Sequence, residues 1–218
     1  MTSVCSKYPD VKYFRNIPVS PGREMILTRL GYRRGVTEID GRYLTMLEKG
    51  IRKGSILCRP AGAYTRIGIV DRTGEFIKLE NGVVFEDSGL LRLLENSMEV
   101  VLMASTVGNG VVEAIYNEVK NGDAAMGLIL DSTASQTADA VLNWMMDFLN
   151  RILEREGKRL TRHRYSPGYG SLQLSMQKPL FETLRLETLG MKLTDKYMLI
   201  PEKSVIAIAG IENKFEQD

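Results

Sequence analysis

A chain of 218 residues, 44% apolar and 26% charged, can build a sizeable core as one domain or one two-lobed domain, and the balance excludes disordered and fibrous classes. A formal net charge of +2 is too small to argue for nucleic acid, no dense basic run carries interleaved aromatics, and no nucleic-acid partner is expected. The N-terminus lacks a signal-peptide core and no apolar run reaches bilayer length, so a soluble, cytoplasmic protein with no membrane role is expected.

The part up to about residue 55 reads as helical. Glu24 to Leu30 and Tyr43 to Ile51 are short amphipathic pieces, punctuated by Gly31, Gly35 and Gly41. From residue 56 onward the pattern predicts a sheet-containing core within the same single domain, 1–218. Tyr64 to Val70, Glu75 to Leu79 and Val83 to Phe85 are rich in β-branched and aromatic residues and are separated by turn residues, which predicts an antiparallel meander. Ser88 to Asn96 reads as a short helix with Ser88 as its N-cap, and Val100 to Ala104 as an apolar strand.

Thr106-Val107-Gly108-Asn109-Gly110 leads into a helix that runs to Lys120 and stops at Asn121-Gly122. Asp123 to Leu130 is a mostly apolar continuation. The clearest helix spans Ser135 to Glu156: Ala138, Val141, Leu142, Met145, Leu149, Ile152 and Leu153 form one apolar stripe, and Gly157 stops it. Its other face, with Asp139, Asn143, Asp147, Asn150 and Glu154, reads as solvated. Lys158-Arg159-Leu160-Thr161-Arg162 reads as a helix end. A further helix is expected from Lys178 to Leu189, with Pro179 at a permitted early position. A strand pair follows, Lys196 to Ile200 and Ser204 to Ala209, joined at Pro201-Glu202-Lys203. Helices and antiparallel strands in mixed order predict an α+β fold, a central antiparallel sheet flanked by helices.

Absences narrow the chemistry. The one histidine, His163, and the two distant cysteines, Cys5 and Cys58, make neither a zinc site nor a disulfide framework. Neither phosphate-loop nor dinucleotide-binding glycine patterns occur, and no nucleophile elbow partners His163.

One segment carries candidate binding chemistry: Arg164-Tyr165-Ser166-Pro167-Gly168-Tyr169-Gly170-Ser171. Pro167-Gly168 favours a type II turn, since proline presets the first central angle and glycine supplies positive φ at the second. Gly168 and Gly170 let a ligand approach the backbone. Arg164 offers a rigid fork suited to a carboxylate. Tyr165 and Tyr169 offer flat faces for a purine or a sulfonium cation. A tight turn with packed tyrosines and a surface arginine accounts for the same residues without a ligand.

Arg164-x-x-x-Gly168-Tyr169 resembles the Arg-x-x-x-Gly-Tyr signature of the S-adenosylmethionine-binding activation domain of cobalamin-dependent methionine synthase. The resemblance continues through Gln177-Lys178-Pro179-Leu180-Phe181-Glu182, Gly190-Met191-Lys192-Leu193-Thr194-Asp195 and Pro201-Glu202-Lys203-Ser204-Val205. Upstream, Thr106-Val107-Gly108 and Leu130-Asp131-Ser132-Thr133-Ala134-Ser135 resemble two further family stretches, with Ala134 where a glycine is usual.

The resemblance implies that the domain binds S-adenosylmethionine beside a corrinoid inactivated by oxidation. A flavodoxin or ferredoxin type reductant supplies one electron, and the sulfonium methyl group traps the reduced cobalt. Arg164 would hold the carboxylate, Gly168 and Tyr169 would shape the pocket, and Pro167 would set the turn. Asp147 corresponds by spacing to an acidic helix position. The cobalt-ligating Asp-x-His-x-x-Gly signature is missing from this sequence, so cobalamin is expected on a partner chain, a corrinoid-bearing methionine synthase. The chain is then an accessory part of a methyltransferase and not a complete enzyme alone. The alternative is a non-catalytic docking or ligand-sensing subunit of a corrinoid methyltransferase system.

Overall fold

The computed structural model describes residues 10–37 and 40–214; Cys5 lies outside them. Strand β1 (Lys12–Arg15) precedes helices α1 (Arg23–Arg29) and α2 (Gly41–Leu57). Then come β2 (Ala61–Arg72), β3 (Ile77–Leu79), β4 (Val84–Phe85), α3 (Ser88–Leu93) and β5 (Glu99–Thr106). Helices α4 (Gly110–Lys120) and α5 (Ala124–Glu154) lead to β6 (Lys158–Leu160), α6 (Gln177–Leu184), β7 (Lys192–Leu193), β8 (Leu199–Ile200) and β9 (Ser204–Asn213).

The main sheet has seven strands in the order β4-β3-β2-β5-β9-β6, with β1 also on β2, and every pairing is antiparallel. The α+β expectation holds, and the meander is β2-β3-β4. Strands β5 and β9 are buried along most of their length because both of their faces are covered. On one face Val101, Met103, Ala207 and Ala209 meet Val141, Leu142, Met145 and Leu149 of α5. On the other, Val100, Leu102, Ala104, Ile206 and Ile208 meet Leu180, Phe181 and Leu184 of α6. Each fully buried Val, Leu, Ile or Met side chain among them contributes about 1.5–3 kcal/mol.

Helix α5 begins at Ala124, not Ser135, and Asp123 caps it by accepting from the Met126 amide at 2.9 Å. A cap of this kind contributes about 1 kcal/mol. Helix α2 runs past Ile51 to Leu57 and packs on α5 through Gly50 and Gly54. A Cβ at those positions would lie 2.6 Å from Ile129 Cγ2 and 2.9 Å from Thr133 Cγ2. The backbones can approach only because no side chain stands between them.

Four other local expectations are corrected. The N-cap of α3 is Asp87, whose carboxylate accepts from the Leu90 amide at 2.7 Å, and Ser88 is the first helical residue. Lys158–Leu160 is an edge strand on β9, and its cations are paired: Lys158 with Glu99 at 2.6 Å and Arg159 with Glu212 at 3.4 Å. The helix expected to reach Leu189 stops at Arg185, which adopts a left-handed conformation at φ 46°. Residues Leu199–Ile200 pair with β7 and not with β9, because β9 already lies between β5 and β6.

Candidate functional site

The segment from Arg164 to Leu172 leaves the edge of β9 as two consecutive turns. Tyr165 anchors it by exchanging two backbone hydrogen bonds with Ile208 of β9, at 2.8 and 2.7 Å. The Tyr169 amide donates to the Ser166 carbonyl at 3.1 Å across buried Pro167 and across Gly168, which has φ +91°. This is the Pro-Gly turn that the sequence predicts. Gly170 also has positive φ, +57°.

Beneath the segment a clamp holds it in place. The Asp87 carboxylate accepts from the Ser171 hydroxyl as well as from the Leu90 amide, and the Tyr165 hydroxyl also bonds to it. Burial pushes the Asp87 carboxyl up, but these hydrogen bonds and one from Gly89 together hold it below its ordinary value. Burial and the neighbouring Asp87 charge push the Tyr165 phenol up. The hydroxyl sits where only glycine fits: a Cβ at Gly170 or Gly89 would come within 2.1 or 2.6 Å of it. Asp87, Gly89 and Ser171 carry no signal in the sequence beyond turn and cap chemistry.

Above the clamp lies an open cavity of about 530 Å³, within the range of small-ligand pockets. Its walls come from α5 (Ser135, Ala138, Asp139), from Arg164, Tyr165, Ser166 and Tyr169, from Glu202 to Val205, and from Arg29 of α1. Arg164 is half-buried and held in place. Its guanidinium donates to Asn143 Oδ1 at 2.6 Å and to Asp139 Oδ1 at 3.3 Å. The face of α5 that reads as solvated is therefore partly covered at this end, and Asn150 accepts from the Leu160 amide at 2.8 Å further along. Tyr169 is 72% exposed and presents its ring at the cavity mouth.

Of the sequence-predicted site residues, Arg164, Tyr165 and Tyr169 line the cavity, and Pro167, Gly168 and Gly170 shape its loop. Asp147 is exposed and lies outside the lining; Asp139, two turns earlier on α5, is the helix carboxylate that faces the cavity.

Three distant stretches converge on the same wall. Lys203 Nζ meets Asp131 at 2.6 Å, the Ser204 hydroxyl donates to Thr106 Oγ1 at 2.8 Å, and the Val107 amide donates to the Lys203 carbonyl at 3.2 Å. Tyr116 of α4 donates to Glu202, which raises the phenol above its ordinary value. Gln177 to Glu182 and Gly190 to Asp195 instead build the opposite side of the sheet.

Other reactive groups lie elsewhere. Cys58 is buried between α4 and α5, and burial pushes its thiol up to about 11, so it is protonated at neutral pH. His163 is exposed. Among the described residues no cluster of three or more His, Cys, Asp or Glu could hold a metal ion, and no helix is long and apolar enough to cross a membrane.

An antiparallel sheet between one long helix and a layer of short elements, with a cavity beside the middle of that helix, defines the class of α+β domain to which the chain belongs. More particularly, its fold is similar to that in the crystal structure of the MetH reactivation domain bound to AdoHcy, with a TM-score of 0.66. Identity is 15%, and the match covers 93% of this chain and 78% of that one. The family resemblance is thus met at the level of the fold. No protein-family model and no curated protein matches the chain.

Proposed function

We propose that the cavity binds S-adenosylmethionine and that the chain supports reductive methylation, hence reactivation, of the cobalamin of a separate methionine synthase polypeptide. One observation carries the reading. The Arg164–Tyr169 turn lines an open cavity in a fold shared with a reactivation domain solved with AdoHcy, the demethylated form of the same ligand.

The residues present fit that ligand. Arg164 is pre-oriented by Asn143 and Asp139 and keeps further N–H donors for a carboxylate. Asp139 and Glu202 are carboxylates on the same wall, suited to an ammonium or sulfonium group. The exposed face of Tyr169 suits the purine, and the Pro167-Gly168 turn keeps the loop backbone free of side chains. The corrinoid belongs to the partner and its cobalt is the methyl acceptor; a flavodoxin or ferredoxin type reductant would supply the electron. The sulfonium leaves as a neutral thioether, so no acid or base is needed at the methyl group. The task of this chain is to hold the methyl carbon in line with the metal.

Calorimetric titration with S-adenosylmethionine tests the binding. The wild-type chain is expected to saturate, and Arg164→Ala to weaken binding by about 1.5–3 kcal/mol, one hydrogen bond to a charged group. Undiminished affinity in that variant would remove Arg164 from the site. Restoration of methylcobalamin absorbance to a synthase truncated of its own activation domain, given a reductant, tests the role in trans. Binding without restoration would favour a ligand-sensing subunit.

A further inference from the structure

The cavity has three cations on its wall, Arg29, Arg164 and Lys203. Two are already compensated: Arg164 by Asp139 at 3.3 Å, and Lys203 by Asp131 at 2.6 Å. Arg29 has no ion pair or side-chain hydrogen bond among the described residues. Neighbouring arginines of the same N-terminal part do have partners: Arg23 meets Glu48 at 2.8 Å and Arg34 meets Glu24 at 3.9 Å.

A cation in the last turn of a helix also complements the helix dipole, by about 0.3–1 kcal/mol when exposed. That accounts for a basic residue at the end of α1 but not for its position on the cavity wall. The position is set by packing. Ile26 and Leu27 of α1 are buried, and Leu27 joins Leu47 of α2 and Ile129 of α5 in one apolar cluster. Helix α1 is therefore docked on the same helix that carries Ser135 and Asp139, and Arg29 reaches the cavity from an element separate from the Arg164 loop.

We propose that Arg29 is a second clamp on the carboxylate of the ligand, which makes helix α1 part of the binding site. The inference rests on the S-adenosylmethionine reading above. Its chemistry is simple. A carboxylate has two oxygens and about four acceptor sites, and a guanidinium offers a planar fork of donors. Arg164 is committed in part to Asp139 and Asn143, so a ligand carboxylate beside it keeps acceptor capacity unfilled. Arg29 is the uncommitted donor within the same cavity. Held by both guanidinium groups, the amino-acid end of the ligand is fixed in direction, and the nucleoside end is left to Tyr169.

The test compares S-adenosylhomocysteine with its carboxamide, which differs only at the carboxylate, by calorimetric titration of the wild-type chain and Arg29→Ala. Arg29→Ala is expected to bind the acid about tenfold more weakly or worse. It should bind the carboxamide within about twofold of wild type, so the preference for acid over amide shrinks. An unchanged affinity for the acid overturns the clamp while leaving the ligand reading intact. Equal losses for acid and amide also overturn it, because they report a distorted cavity and not a lost charge contact. A wild-type chain that binds neither compound overturns the ligand reading itself, and the clamp with it.

Discussion

The Tyr165 side chain lines the cavity, yet its hydroxyl points down into the clamp formed with Asp87, where a Cβ at Gly170 would lie 2.1 Å away. Gly170 also has φ +57°. Gly170→Ala therefore meets both a steric clash and an unfavourable backbone conformation, and is expected to cost about 1–3 kcal/mol. The two causes can be separated. In a Tyr165→Phe background the clashing oxygen is gone, although the ring carbon at 3.3 Å remains. The cost of Gly170→Ala should then fall by about 0.5–1 kcal/mol or more, as expected for residues in contact. Urea midpoints of the four chains measure this, and strictly additive costs would show that the hydroxyl does not set the loop. At this scale the Pro167-Gly168 turn was legible because its geometry is local: two adjacent residues dictate the dihedral angles. Asp87 was not, because its partner Ser171 is 84 residues away and nothing in a cap motif reveals a second acceptor role.

At the scale of elements, periodicity located the strands of the meander, β5, α4 and the C-terminal half of α5. It failed at the start of α5. The first turns of α5 bury Met126, Gly127, Ile129 and Leu130, and the positions left facing solvent, Ala124, Ala125 and Leu128, are apolar as well, so no polar face marks a helix. The same helix shows how a solvated face was misread: Asp139 and Asn143 look like surface residues until the Arg164 loop folds back over them. Spacing selects Asp147, whereas the carboxylate of the same helix that lines the cavity is Asp139. Asp139→Ala is accordingly expected to weaken S-adenosylmethionine binding by about 1 kcal/mol or more, since it removes a charged wall group and loosens Arg164. Asp147→Ala should leave binding unchanged. The Asp139–Arg164 pair is partly exposed, at 45% and 23%, so its loss should change stability by less than about 1 kcal/mol. Titration calorimetry and thermal melts on both variants decide the assignment. Weakened binding in Asp147→Ala alone would return the role to Asp147.

Across the whole molecule, the N-terminal part and the sheet core share side chains at every junction. Phe14 of β1 lies against Trp144 and Phe148 of α5 with ring centroids 5.2 Å apart in both cases, and Tyr64 of β2 stacks on Phe14 at 5.9 Å. Gly50 and Gly54 bring α2 onto α5, and Arg29 brings α1 to the cavity. Neither part can lose its structure without exposing apolar surface of the other, so the two are expected to unfold together. The single tryptophan, Trp144, sits in the aromatic junction and reports on it, whereas far-ultraviolet circular dichroism reports on all helices. Urea unfolding followed by the two signals should give one coincident transition. If circular dichroism lost amplitude before the fluorescence changed, the N-terminal helices would be a separately melting unit. The wall that carries Arg29 could then open independently of the Arg164 loop, and ligand should restore coincidence by binding only the closed form.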